Sequence, residues 1–327
     1  MKTDLNILVI SAFHTPFIQD DIETLEKHFT VRTNIGHGVF QLIKNIFRVM
    51  GTDVIVCWFA SVYASIAVAV GRMFGVRSVI VVGGVDLAKE KELGYGIWLT
   101  PWKSSLVRYA LRHADCVLAV DPSLKEEACL RAEYDGRNIL YVPTGYESSF
   151  WKPLGAKEPL ILTVAVVHDT KRLKIKGIET LIETAEKLPH LPFIVIGILP
   201  EIVARLNPPS NMTFLPVMKR PDLLTYYQRA KVYCQPSLRE GLPNTLCEAM
   251  LCGCFPVATN VGGNPSAVGD VGILIPPGDS NALAAGIERS MEMTEEQRQR
   301  ARARIVSLFP KQKREQELVR IIKGLGR

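Results

Sequence analysis

The sequence predicts an α/β protein of two doubly wound domains. Three observations carry this. Short β-branched runs alternate with helical patterns along the chain, the runs are apolar throughout rather than at every second residue, and the whole pattern restarts after residue 151. Wholly apolar runs suit parallel strands covered on both faces. Their alternation with helices argues for strand–helix–strand units.

In the first half, strand runs are NILVIS (6–11), FTVRTN (29–34), DVIVCW (53–58), RSVIVVG (77–83), CVLAV (116–120) and ILYVP (139–143). Helical patterns at 20–28, 40–50, 61–74, 103–113 and 123–133 lie between them. Residues 54–71 carry no charge, which satisfies the length for a membrane span. The preferred reading is a buried strand followed by a small-residue helix, because another strand run comes next.

WKPLGAKEP (151–159) reads as a linker. Strand runs follow at 159–167, 192–197, 212–216, 232–236 and 255–259, with helices at 177–187, 222–230, 244–251 and 281–291. The tail 311–326 is a charged helix opened by Pro310, with Leu318, Ile321 and Ile322 on one stripe. The expected domains are 1–150 and 151–308, with a C-terminal helix in 309–327. Two such domains facing each other make a cleft at the carboxyl ends of their strands, where ligands bind in these sheets.

The 327 residues suffice for two domains, and 47% apolar with 22% charged residues is a soluble globular profile. A net charge of +6 is compatible with an anionic substrate or membrane surface. It is too weak to imply a nucleic-acid partner. Seven cysteines without a CxxC pair read as reduced buried thiols, and no metal site is expected. The N-terminus lacks signal-peptide features, so a cytoplasmic location is expected.

The chemistry concentrates in SLREGLPNTLCEAMLCG (237–253). A strand ends near Pro236, Gly241 and Pro243 enforce a loop, and Asn244 is placed to cap a helix starting at Thr245. The free N–H groups of such a helix end suit a phosphate or pyrophosphate. Glu240 lies in the loop and Glu248 one turn into the helix. Carboxylates beside a pyrophosphate site make sense as acceptors for hydroxyl groups. A nucleotide sugar offers two such sets, one on the sugar and one on the ribose.

This segment, with the following AMLCGCFPVAT and NVGGNPSAVGDVGILIPPGD, resembles the Glu-x7-Glu signature of retaining glycosyltransferases of family 4, within the group 1 glycosyl transferases. The resemblance implies the GT-B fold, two Rossmann-like doubly wound domains facing a central cleft. It also implies that Glu240 faces the donor sugar, that Glu248 binds the ribose, and that the backbone over Gly241, Leu242, Pro243, Asn244, Thr245 and Leu246 holds the pyrophosphate. Val217 joins this donor-contacting set. AVVHDTKRLKIKGIETLIETA resembles the family's basic element, with Lys176 matching its lysine. The family's arginine stands five residues before that lysine. Here Arg172 is four before and Lys174 two before, and either supplies the second cation. Such cations stabilise the charge that grows on a departing diphosphate. HADCVLAVDPSLKEE and NILYVPTGYESSFWKP resemble the segments before the domain crossover. The tail helix is expected to return to the first domain.

The first domain departs from the family. SAFHTPFIQDD replaces the usual glycine-rich loop, and VVGGVDLAKEKELGYG lacks the usual histidine. Asp86 is the candidate polar group near the sugar, or else caps a turn. His14 faces the cleft, or else packs. Ser266 stands where the family often has a glutamate, and His113 sits at a helix end.

The expected activity is transfer of a hexosyl unit from a UDP-, GDP- or other nucleotide-activated sugar to an acceptor hydroxyl, with retention of configuration. The acceptor is a sugar or a lipid-linked acceptor, as in glycan, polysaccharide or glycolipid synthesis. No further cofactor is required. A non-hydrolysing nucleotide-sugar epimerase and a non-catalytic sugar-nucleotide binding protein are the competing readings. GIWLTPWKSSLVRYALRHA (96–114) offers Trp98, Trp102, Lys103, Arg108 and Arg112 as a face for peripheral contact with an anionic membrane, or is a helix packed on the first sheet with solvated basic residues.

Overall fold

The computed structural model describes residues 4–326. The chain divides into two compact units, one running to Gly145 and resumed from Lys311, the other Tyr146–Pro310.

The first unit runs β1 (Asn6–Ser11), α1 (Pro16–Glu26), β2 (Thr30–Ile35), α2 (Val39–Val49), β3 (Val54–Trp58), α3 (Val62–Met73), β4 (Arg77–Val82), α4 (Pro101–His113), β5 (Cys116–Ala119), α5 (Pro122–Ala132) and β6 (Ile139–Tyr141). Its sheet has the order β2-β1-β3-β4-β5-β6, with every pairing parallel. The charge-free stretch 54–71 is split by a turn between β3 and α3, because Ser61 caps the helix by accepting from the Ala64 N–H. Among the described residues no helix is long and apolar enough to cross a membrane.

The second unit runs β7 (Glu158–Val167), α6 (Thr170–Ile175), α7 (Ile178–Lys187), β8 (Phe193–Ile198), α8 (Pro200–Val203), β9 (Met212–Leu215), α9 (Arg220–Arg229), β10 (Ala230–Gln235), α10 (Asn244–Leu251), β11 (Phe255–Thr259), α11 (Asn264–Val268), β12 (Ile273–Ile275), α12 (Ser280–Met291) and α13 (Glu295–Leu308). Its sheet order is β12-β11-β10-β7-β8-β9, again all parallel. Its core packs Val195, Val232, Cys234 and Val257 of the sheet against Ile178, Leu181, Leu283 and Ile287 of the helices.

The tail is α14 (Lys311–Leu325), which packs on α1 within the first unit. Arg314 is buried there and holds Asp21 through two bonds, Nε to Oδ1 at 3.1 Å and Nη2 to Oδ2 at 2.7 Å. The Trp58 indole N–H donates to the same Asp21 Oδ2, and Arg314 Nη1 donates to the Val142 carbonyl. A buried ion pair of this kind holds together only because these further bonds satisfy it.

Two stretches differ from the sequence reading in part. The basic helix 295–308 has no counterpart among the helices read from the sequence. A reciprocal cap starts it, with Thr294 Oγ1 accepting from Gln297 N–H and Gln297 Oε1 from Thr294 N–H. Of the aromatic and basic residues over 96–114, Trp102 is exposed with Lys103 Nζ 5.5 Å from its ring centre, but Trp98 does not join them. Trp98 is buried and its indole N–H donates to the Asp86 carbonyl. Arg108 and Arg112 are drawn sideways to the Glu133 carboxylate and to the carbonyls of Arg131, Ala132 and Glu133.

Candidate active site

In the second sheet the strand order reverses between β7 and β10. Loops that leave the carboxyl ends of two strands at such a reversal diverge and open a crevice. Lys176 follows β7 through α6, and Glu240 follows β10. Close backbone approach brings their segments together. Gly177 has φ +65°, and a Cβ there would lie 1.9 Å from the Pro236 carbonyl oxygen. The Leu238 N–H donates to the Ile175 carbonyl at 2.7 Å. On the other side Gly262, at φ +50°, abuts the Glu240 carbonyl at a would-be Cβ distance of 2.1 Å, and the Gly263 N–H donates to Gly241.

The Glu240 carboxylate is thereby fixed. Lys176 Nζ donates to its Oε1 at 2.5 Å and Gln235 Nε2 donates to the same oxygen at 2.6 Å. Among the described residues Oε2 makes no hydrogen bond, so it remains available to a ligand hydroxyl. Lys176 has three N–H donors and spends one here. Gln235 is 3% exposed, and its Nε2 also donates to Ser237 Oγ, while its Oε1 is buried without a partner. Turning this carboxamide over would set Oε1 against the carboxylate, so the donor orientation is the favourable one. Beneath it, Thr259 Oγ1 donates to the Ser237 carbonyl and Asn264 Nδ2 donates to Thr259.

At the start of α10 the Cys247 N–H makes the first backbone helical bond, to the Pro243 carbonyl. The turn containing Thr245 and Leu246 therefore presents N–H groups outward, the ordinary state of a helix N-terminus. Asn244 does not cap this helix as expected. It is the first helical residue, and its Oδ1 instead accepts from the Tyr146 hydroxyl at 2.8 Å. Glu248 is buried, with Oε2 accepting from Tyr227 at 3.3 Å and Oε1 lying 3.8 Å from Arg220 Nη2. Burial, then the adjacent Glu248 charge, hold the Tyr227 phenol well above its ordinary pKa, so it stays a donor.

The remaining candidates are placed as follows. Arg172 lies one helical turn before Lys176, whose N–H donates to the Arg172 carbonyl, so the two share a face. Lys174 points elsewhere on α6 and is exposed. Among the described residues neither side chain makes an ion pair. Val217 is exposed in the loop after β9. Ser266 lies in α11, where its carbonyl accepts from Arg304. In the first unit, Asp86 is turned inward at 4% exposure. Its Oδ1 accepts from the N–H groups of Gly83 and Gly84, and its Oδ2 from that of Ala60. This is the turn-holding alternative for Asp86. Burial pushes its carboxyl up to about 6, against the opposing pull of those N–H donors. His14 is exposed after β1 and bonds Gln19. His113 stacks on Tyr109 at the end of α4.

Sequence reasoning missed Gln235, Tyr227 and Arg220. For Gln235 a signal was readable, a glutamine closing the otherwise apolar strand run VYCQP, since a polar group in a buried strand needs partners. Tyr227 and Arg220 lie on α9, and nothing in that segment points to Glu248.

Two doubly wound parallel units in one chain are the plan of the GT-B fold. Solved structures share the whole architecture. Sucrose-phosphate synthase from Thermosynechococcus elongatus superposes with a TM-score of 0.80 at 19% identity, covering 98% of this chain and 99% of that one. Anabaena HepE, solved in complex with UDP and glucose, superposes with a TM-score of 0.78 at 17% identity, covering 98% and 99%.

On sequence, residues 150–305 match the family model for Glycosyl transferases group 1. One component of the human phosphatidylinositol N-acetylglucosaminyltransferase is 24% identical over 198 residues, 58% of this chain and 40% of that protein. The O-antigen chain mannosyltransferase B of Escherichia coli is 30% identical over 129 residues, 36% of this chain and 34% of that protein. The chain thus spans less than half the length of the curated relatives it matches.

Proposed function

We propose that this chain is a retaining glycosyltransferase of family 4 that moves a hexosyl unit from a nucleotide diphosphate sugar to an acceptor hydroxyl. The observation that carries this reading is the Glu240 carboxylate held through one oxygen by Lys176 and Gln235 beside the N-terminus of α10. The group 1 match over residues 150–305 supports it. In the reaction the bond from the sugar C1 to the diphosphate oxygen breaks. The acceptor oxygen bonds C1 on the same face, and its proton passes to the departing diphosphate. The protein positions the two partners and neutralises the leaving group. The N–H groups at the start of α10 hold the pyrophosphate. Lys176 uses its remaining donors on it, and Arg172 supplies the second cation. Glu240 Oε2 accepts from a sugar hydroxyl and Glu248 from the ribose.

The donor is a UDP-, GDP- or related sugar, and the acceptor a sugar or a lipid-linked acceptor. A thermal-shift panel of nucleotide sugars identifies the donor, because a ligand that binds the folded state raises apparent stability. With that donor, Glu240→Ala is expected to lower turnover by about a hundredfold or more while donor affinity stays within a few-fold. Near-normal transfer by this variant would overturn the assignment. Donor conversion that needs no acceptor would instead favour an epimerase.

A further inference from the structure

A helix laid on a sheet normally buries its apolar stripe and shows its polar side to water. Helix α2 (VFQLIKNIFRV) instead leaves much of its apolar surface in water. Its inward positions include Asn45, 1% exposed and bonded to Asn34 of β2, together with the fully buried Val49. Outward it carries Phe40 at 91%, Ile43 at 47% and Phe47 at 67% exposure, with Met50 at its end at 47%. Spacings of three, four and three residues align these four on one stripe.

The segment that carries this stripe has charge of a single sign. From residue 30 to residue 52 the chain has no Asp or Glu, but it has Arg32, Lys44 and Arg48. Arg32 and Lys44 are exposed, and Arg48 reaches the Thr33 carbonyl of the edge strand β2. We infer that α2 docks the first unit on an anionic lipid surface, lying in the plane of the headgroups with Phe40, Ile43, Phe47 and Met50 inserted. Eleven helical residues reach about 16 Å, far short of a bilayer but suited to lying flat on one. A second copy of the chain is a poor occupant. A two-fold contact through this stripe sets Lys44 and its cationic neighbours against their own copies. The inference stands apart from the transferase reading, since it uses no residue of the second unit.

The test is vesicle sedimentation of the full chain, with phosphatidylcholine vesicles compared with vesicles that also contain phosphatidylglycerol. The expected result is pelleting with the anionic vesicles, weakened by molar salt, which shortens the screening length to about 3 Å. Phe40→Ala with Phe47→Ala is expected to reduce the vesicle binding constant by about tenfold or more, since two large apolar groups no longer insert. Lys44→Glu lowers it by a smaller factor. Alanine preserves helix propensity and the replaced rings are exposed, so the circular-dichroism melt of the double variant should match the parent. Failure of the parent to pellet with anionic vesicles overturns the inference. So does equal pelleting by the double variant, or a dimer in light scattering that the double variant abolishes.

Discussion

Lys176 Nζ lies 2.5 Å from Glu240 Oε1, the same oxygen that Gln235 Nε2 reaches at 2.6 Å. Two donors on one carboxylate oxygen set the direction in which the other oxygen points. Gln235→Leu removes one of them and leaves the ion pair. It should lower kcat by about tenfold with donor KM within a few-fold, because the loss is in orientation rather than in ground-state binding. Gln235→Glu sets a second carboxylate against Glu240 and should cost more. Steady-state kinetics on both variants check this. If KM rises and kcat holds, Gln235 contributes to binding and does not position Glu240.

Gly262 supports the same carboxylate from the opposite loop. Its φ of +50° is unfavourable for a side chain, and an added Cβ would meet the Glu240 carbonyl oxygen at 2.1 Å. Gly262→Ala must therefore displace the segment that carries Glu240. The expected outcome is loss of turnover by about a hundredfold, since a misplacement of about 1 Å suffices, while the protein still melts cooperatively. Retention of full activity in a folded variant would show that the Glu240 loop tolerates the shift.

Asp86 offers a pH-dependent test. Asp86→Asn sets an NH2 group against a backbone N–H that now meets a carboxylate oxygen, at a cost of about 1–3 kcal/mol. Burial holds the folded carboxyl near 6, while in the unfolded chain it titrates near its ordinary value of about 4. The folded state thus binds the extra proton between these values. The stability this adds is fully present below about pH 4 and is lost as pH rises through about 6, a span of about 3 kcal/mol. Asparagine has no such titration, so the Tm gap between parent and variant should narrow from pH 4.5 to pH 7. Calorimetry at both values reads it. A gap that widens with pH would mean that the three N–H donors outweigh burial. Donor affinity should be the same in both proteins, as befits a side chain committed to its own turn.

Much of the fold was legible because buried parallel strands are written in one local alphabet. NILVIS, VIVCW and FPVAT announce themselves, and the restart after residue 151 marks a second unit. The misses have local causes as well. Helix α13 is so rich in arginine and glutamine that no apolar stripe betrays it, although its Thr294–Gln297 cap was there to be read. The aromatic and basic residues of 96–114 form an amphipathic pattern in the string, but Trp98 turns inward to the Asp86 carbonyl.

The sequence alone was enough to specify two α/β units and to single out Glu240, Glu248 and Lys176, because strand composition and motif spacing are properties of short segments. It could not say that Gln235 shares an oxygen of Glu240 with Lys176, which of its two readings Asp86 follows, or that α2 shows its apolar side to water. Each of those depends on which carboxyl-terminal loops the strand order brings together, or on which side of a helix meets the sheet. Such relations join residues distant in the chain, and they exist only once the sheets have formed.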